Sequence, residues 1–281
     1  MINYVKILKF LSPVIIGLLI WNFFSSAVLY IYIAALVVWV FFRNLKHFFS
    51  YFGQIANVKG LYEKASKWYY LSYLLDKKNI SIANDAAYTN LRLGNLDMVK
   101  SILSSFDISR LEGESKIKFA NNIAILKWKS GDLEGAVKIL ESLYAQNDLS
   151  TSLFGNYPYL LMLNGEIKKA RTIAEEAFAF NPKDIVIIEN LARISFLDGD
   201  LEAAGIHFET LELLSPGYPE AWYNLALYYL GISENEKAQN ALKSGLKCNF
   251  TFLSNVTKVQ LEDLLKKIST AQLQGSENSQ K

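Results

Sequence analysis

The 281-residue chain holds one cysteine, Cys248, and two histidines, His47 and His207. A single thiol cannot close an internal disulfide, and so few soft ligands leave no cysteine or histidine framework for zinc. A cytoplasmic location fits that shortage. The formal net charge is only +2, which gives no electrostatic case for a nucleic-acid partner. No glycine-rich loop of the phosphate-cradling kind is present, no His-x-x-x-His pair, and no serine in a nucleophile-elbow setting. His207, between Ile206 and Phe208, reads as a packing or surface position, and pairs such as Glu175-Glu176 read as solvated helix faces. These absences point away from an enzyme, a metal site or a bound cofactor.

Charge is missing altogether from residues 10 to 42, although 51% of the chain is hydrophobic and the remainder reads as a water-facing helical protein. As one helix that run would extend roughly 50 Å at about 1.5 Å per residue, against a bilayer core of about 30 Å. The stretch Trp21-Asn22-Phe23-Phe24-Ser25-Ser26 offers a break, so two hydrophobic helices are expected, about 4–21 and 27–42, within an anchor covering 1–45. Lys6 and Lys9 stand at the start of the first, before its uncharged run, Arg43 and Lys46 follow the second, and the middle loop has no charge. The positive-inside rule then places both ends in the cytoplasm as a transmembrane hairpin in the cell membrane. Two other readings stay open: a re-entrant hairpin that dips without crossing, and a signal peptide ending near Ser25-Ser26-Ala27.

A repeat organises the rest. Gly60, Gly94, Gly131, Gly165 and Gly199 sit in short polar turns at spacings of 34, 37, 34 and 34, and Ser233 follows 34 residues later. Five residues after each come Ala65, Val99, Ala136, Ala170, Ala204 and Ala238; four further on come Tyr69, Leu103, Leu140, Ala174, Phe208 and Leu242, of which only Ala174 is small. Glycine permits a left-handed turn between helices, the small residue lets two helices approach, and the bulky one fills the space beside it. Pro182 and Pro216 stand where second helices should end. The sixth unit carries Trp222-x-x-Leu225-Ala226-x-x-Tyr229.

This register resembles the tetratricopeptide repeat (TPR) family. The resemblance covers roughly three quarters of the chain. It implies an all-α fold: a hairpin anchor, then an α-α superhelical solenoid of about six repeats at 46–79, 80–113, 117–150, 151–184, 185–218 and 219–252. Extra residues near Gly113-Glu114-Ser115 are expected to lengthen one connection. A capping helix is expected within 253–273, with Val259, Leu261, Leu264, Leu265 and Ile268 as its apolar stripe, followed by a disordered tail at 274–281.

In such a solenoid the first helix of each unit lines the concave face, and four consecutive units place Asn122, Asn156, Asn190 and Asn224 at one equivalent site. By resemblance to superhelical members of the family these amides would hydrogen-bond an extended peptide; structurally, they would satisfy neighbouring groups instead. Tyr88, Arg92, Trp128, Lys129, Tyr159, Arg193 and Phe196 would line the same face, residue types enriched at binding hot spots. That lining would favour an apolar or aromatic peptide of some acidic character. The expected protein is therefore a membrane-bound TPR scaffold, with its repeats facing the cytoplasm and a protein or peptide partner in its groove. The alternative is a structural subunit of a membrane or envelope assembly with no free groove. Lys, Asn and Ile usage suits an AT-rich bacterial genome.

Overall fold

The computed structural model describes residues 4–278, and within them every regular element is helical. Two helices open the chain, α1 (Tyr4–Phe23) and α2 (Ser26–Val58). Antiparallel pairs follow: α3 (Tyr62–Leu75) folds back on the second half of α2, then come α4 (Ile80–Leu93) with α5 (Leu96–Leu103), α6 (Gly113–Lys129) with α7 (Leu133–Ala145), and α8 (Thr151–Leu163) with α9 (Ile167–Phe180). The last two pairs are α10 (Ile185–Leu197) with α11 (Leu201–Leu214) and α12 (Pro219–Gly231) with α13 (Asn235–Gly245); α14 (Lys258–Asn278) ends the described chain.

The turn series does what its composition requires. Gly60, Gly94, Gly131, Gly165 and Gly199 all have positive φ, between 71° and 92°, and Ser233 takes the same left-handed turn at 64° without glycine's freedom. Side-chain caps start three first helices and two second helices: Asn79, Ser150 and Asp184 at α4, α8 and α10, and Asp132 and Asp200 at α7 and α11, each accept from backbone N–H groups of the first turn. The residues five after each turn, Ala65 to Ala238 with Val99 among them, are completely buried at the crossings, and the bulkier residues four further on are buried beside them. Burying the Phe208 side chain alone is worth roughly 2–3 kcal/mol of transfer free energy. Neighbouring pairs share three continuous apolar cores running along the solenoid.

Several boundaries differ from the expectation. α2 does not end at Phe42. It continues to Val58 and supplies the opening helix of the first unit, because Arg43 and Lys46 change only the polarity of the helix and no glycine or proline interrupts it there. Ser72 Oγ donates to the Lys46 carbonyl at 2.7 Å, and Lys46 pairs with Asp76 at 2.6 Å, tying α2 to the end of α3. The extra residues at 113–115 do not lengthen a loop. They form the first turn of α6, which reaches 17 residues, while a 3₁₀ turn at Ile108–Arg110 fills the connection. In α14 Leu261 and Ile268 are buried against the sixth unit, but Val259 is 61% exposed and falls off the stripe. The helix runs on through Asn278, so the expected disordered tail is helical as far as it is described, and 279–281 lie outside the described residues.

α1 and the first half of α2 lie beside one another, joined by Tyr32 Oη donating to the Pro13 carbonyl at 2.8 Å. Their described side chains are exposed almost throughout from Ser12 to Phe42. By length and composition α2 is able to cross a membrane, whereas α1 contributes a shorter apolar stretch, Ser12–Phe23.

Candidate partner-binding groove

The first helices α4, α6, α8 and α10 stand side by side and frame a cavity of about 990 Å³. Asn122, Asn156 and Asn190 line it, as do Tyr88, Arg92, Trp128 and Tyr159. The sequence-derived residues Asn224, Lys129, Arg193 and Phe196 are not among its lining residues. Phe196 packs into the C-terminal core, its ring 6.1 Å from that of Tyr228, and Arg193 donates to the Asn224 side-chain oxygen.

The asparagine ladder has a regular pattern of its own. Each amide nitrogen donates back to the preceding unit: Asn122 to Asn84 at 3.2 Å, Asn156 to Asn121 at 2.9 Å, Asn190 to the Gly155 carbonyl at 2.7 Å, and Asn224 to the Glu189 carboxylate. Every acceptor sits one position before the ladder site of its unit. The donor end of each amide thus joins consecutive first helices and satisfies polar groups that burial would otherwise orphan. The side-chain oxygens of Asn156 and Asn190 accept from no described residue, which leaves an acceptor at each of these two cavity positions.

The missed residue of the site is Glu189. It is buried, lines the cavity beside Asn190, and accepts from Asn224. Burial pushes its carboxyl up to about 7, with the Asn224 hydrogen bond and the nearby Arg193 charge pulling the other way. Burial also raises Asp85 and the Tyr159 hydroxyl, and lowers the Lys129 ammonium despite the opposing charge of Glu220. Desolvation by burial is the leading cause of all four shifts, three of them on the cavity wall and the Lys129 shift beside it. The signal in the sequence that could have found Glu189 is its place in the register, one residue before a ladder asparagine.

Charge on the wall departs from the expectation of an acidic peptide. Asp85, Glu114, Asp184, Glu189 and Glu220 outnumber Arg92 and Lys118, so the lining favours neutral or basic groups. The aromatic part is ordered: Trp128 and Tyr159 meet edge to face at 5.7 Å, and the Arg92 guanidinium lies 4.7 Å from the Tyr62 ring and 5.1 Å from the Tyr88 ring.

The groove is also bridged. After α13 the chain leaves the sixth unit, touches the second, third and fourth units, and returns to start α14. Phe252 N–H donates to the Arg92 carbonyl at 2.9 Å, Lys129 donates to Asn255 at 3.0 Å, and the Asn255 amide donates to the Tyr159 hydroxyl. Asn249, Thr251, Leu253, Ser254 and Asn255 join the cavity lining.

Among the described residues no three His, Cys, Asp or Glu side chains gather as metal ligands. His207 packs its ring 5.0 Å from Phe178, and burial lowers its pKa. The Cys248 thiol is half-buried and raised by that burial, the reverse of an activated nucleophile.

Helix pairs of this length, left-handed turns at a 34-residue period and small residues at each crossing decide the architecture. The fold is the tetratricopeptide-repeat fold. A TPR protein from Parabacteroides merdae superposes with a TM-score of 0.61 at 17% identity, over 80% of this chain and 85% of that one. A chain of the APC/C hetero-tetramer Cut9–Hcn1 gives 0.59 at 16% identity, over 77% of this chain and 41% of that one, so the TPR solenoid here matches less than half of that longer protein. PilW, a type IV pilus biogenesis factor, gives 0.53 at 12% identity, over 71% and 91%. No protein-family model matches the sequence, and no curated protein matches it.

Proposed function

We propose that this chain is a membrane-anchored TPR scaffold that holds a protein partner in its concave groove and has no catalytic site of its own. The observation that carries the reading is the cavity of about 990 Å³ framed by four aligned first helices, with aromatic side chains and two unoccupied amide acceptors on its wall. Its volume lies at the upper end of the range that engulfs a compact ligand, which suits a short segment of a partner. The exposed apolar faces of α1 and the first half of α2 support the anchor. The positive residues at both outer ends, Lys6, Lys9, Arg43 and Lys46, support a hairpin with the repeats on the cytoplasmic side.

Crosslinking and capture from membranes tests the proposal. The unaltered chain is compared with a variant carrying Tyr88→Ala and Asn156→Ala, both lining residues outside the fully buried core. Loss of specific partners with an unchanged thermal melt is the expected result; an unchanged partner set overturns it. The bridging loop favours a second reading, in which the groove is closed and the chain is a structural part of a membrane assembly. That reading expects the same captured partners from the groove variant, and their loss when the exposed faces of α1 and α2 are altered.

A further inference from the structure

Resting on the groove reading, we propose that the wall formed by Arg92, Gly94, Lys129 and Tyr159 is a recognition site for an uncharged turn with a Phe-Leu tip, held here by the chain's own loop as a stand-in for the partner. Residues 251–254 form the turn, Ser254 N–H donating to the Thr251 carbonyl at 3.0 Å, with Phe252 and Leu253 at the tip. The bond from Phe252 N–H to the Arg92 carbonyl joins residues 160 positions apart, and among the described residues it is the one backbone hydrogen bond outside the helices to join distant stretches of chain. It uses a carbonyl at the C-terminal end of α4, which the helix itself leaves without a partner.

The wall is shaped for the tip. A Cβ on Gly94 would stand 2.8 Å from the Phe252 ring, so the glycine that makes the turn also makes room for the aromatic ring. The Lys129 ammonium lies 5.6 Å from the Phe252 ring and 4.2 Å from the Trp128 ring, a cation between two π faces. Leu253 packs against the core shared by the first three units. The flanking Asn255 is held by Lys129, Tyr159 and Glu220, whose carboxylate accepts its backbone N–H at 2.6 Å.

Two features make this loop releasable. It leaves and re-enters the same sixth unit, since α13 ends at Gly245 and Leu261 of α14 packs back on that glycine and Trp222. Lifting the tip therefore breaks no contact within the repeat stack. Phe252 also remains 43% exposed in its seat, unlike the fully buried rings of the cores. An intramolecular segment of this kind competes at an effective concentration of about millimolar, so a partner with the same tip would displace it by binding more tightly or through further contacts.

The test uses the full chain in detergent and a labelled synthetic peptide with the sequence of residues 247–257. Phe252→Gly combined with Leu253→Gly keeps the loop length and removes the tip. Peptide binding to this variant, read by fluorescence polarisation, is expected to be at least about ten-fold tighter than to the unaltered chain, and adding Lys129→Ala should remove the gain. Equal binding to both chains, or binding to neither with the variant folded, overturns the proposal. Hydrogen exchange on the unaltered chain gives an answer should the variant fail to fold. The Phe252 amide is expected to exchange faster than the core amides of Leu91 and Val99, and exchange at the core rate would make the loop a fixed clamp and overturn the inference. A fixed clamp overturns the releasable loop alone; whether the groove still captures partners is read separately, from the Tyr88→Ala and Asn156→Ala variant, so the two readings fail on different measurements.

Discussion

The opening region, from Tyr4 to Phe42, and the repeats draw on the same apolar side chains and are both helical, yet they treat those side chains in opposite ways. Phe41 is 51% exposed, while Phe208 is fully buried. The difference is one of arrangement. In the first half of α2 the apolar residues surround the helix, and one short neighbour, α1, meets only a strip of it. In each repeat they fall on faces that a left-handed turn folds together, so every pair buries what it presents. A helix that is apolar all round needs an apolar surrounding, and a one-sided helix needs only the next unit.

The largest expected break in that comparison is removal of the N-terminal region. A chain beginning at Arg43 should leave the membrane fraction on an alkaline wash, while the full chain stays; a truncated chain that remains bound would mean that the repeats carry their own attachment. Next comes the pair of phenylalanines. Phe208→Ala should destabilise the detergent-solubilised protein by about 3–5 kcal/mol through lost burial and a cavity, whereas Phe41→Ala should leave the melt unchanged. Equal effects would remove the distinction between the two regions.

Glu189 sharpens the comparison within the repeats, because it is a charge-bearing group placed in a wall that burial has desolvated. Its carboxyl is raised in the fold from 4.5 to about 7. The unfolded chain releases that proton first, so folding weakens as pH rises through this window, by up to about 3 kcal/mol at about 1.4 kcal/mol per unit. Glu189→Gln should flatten that part of the stability profile and raise stability above pH 7. An unaltered slope in chemical denaturation from pH 4.5 to 7 would show that the group is not desolvated. The smallest effect is expected at Ser233, which holds a left-handed conformation at φ 64°. Ser233→Gly should stabilise by up to about 1 kcal/mol, read as a small upward shift in Tm.

The repeats were legible because each of their signals is local and recurs. A glycine is favoured where φ is positive and a small residue where helices cross, and both recurred in register along the chain. What escaped depends on partners far away in sequence or on a boundary that is chemical rather than conformational. Arg43 was read as the end of a helix, yet a charged residue alters what surrounds a helix without stopping it. The ladder asparagines stayed open between peptide ligands and struts because their register shows where they stand but not that the residue before the next one back receives their N–H. Nothing local in Thr251-Phe252-Leu253-Ser254 announces that it meets Arg92 and Gly94, for that contact exists only once the stacked units have curved enough for the loop after the sixth to reach the second.

The unbroken course of α2 turns the first repeat into a compass needle. An α-helix advances about 1.5 Å and rotates about 100° with each residue. With the apolar half of α2 gripped by a bilayer, a single residue inserted between Phe42 and Lys46 would hardly change the height of the groove, yet it would turn the opening by more than a quarter circle about the helix axis. On the membrane-anchored reading, the bearing at which a neighbour in the same membrane meets this protein would be written in the number of residues between its last apolar ring and its first repeat contact.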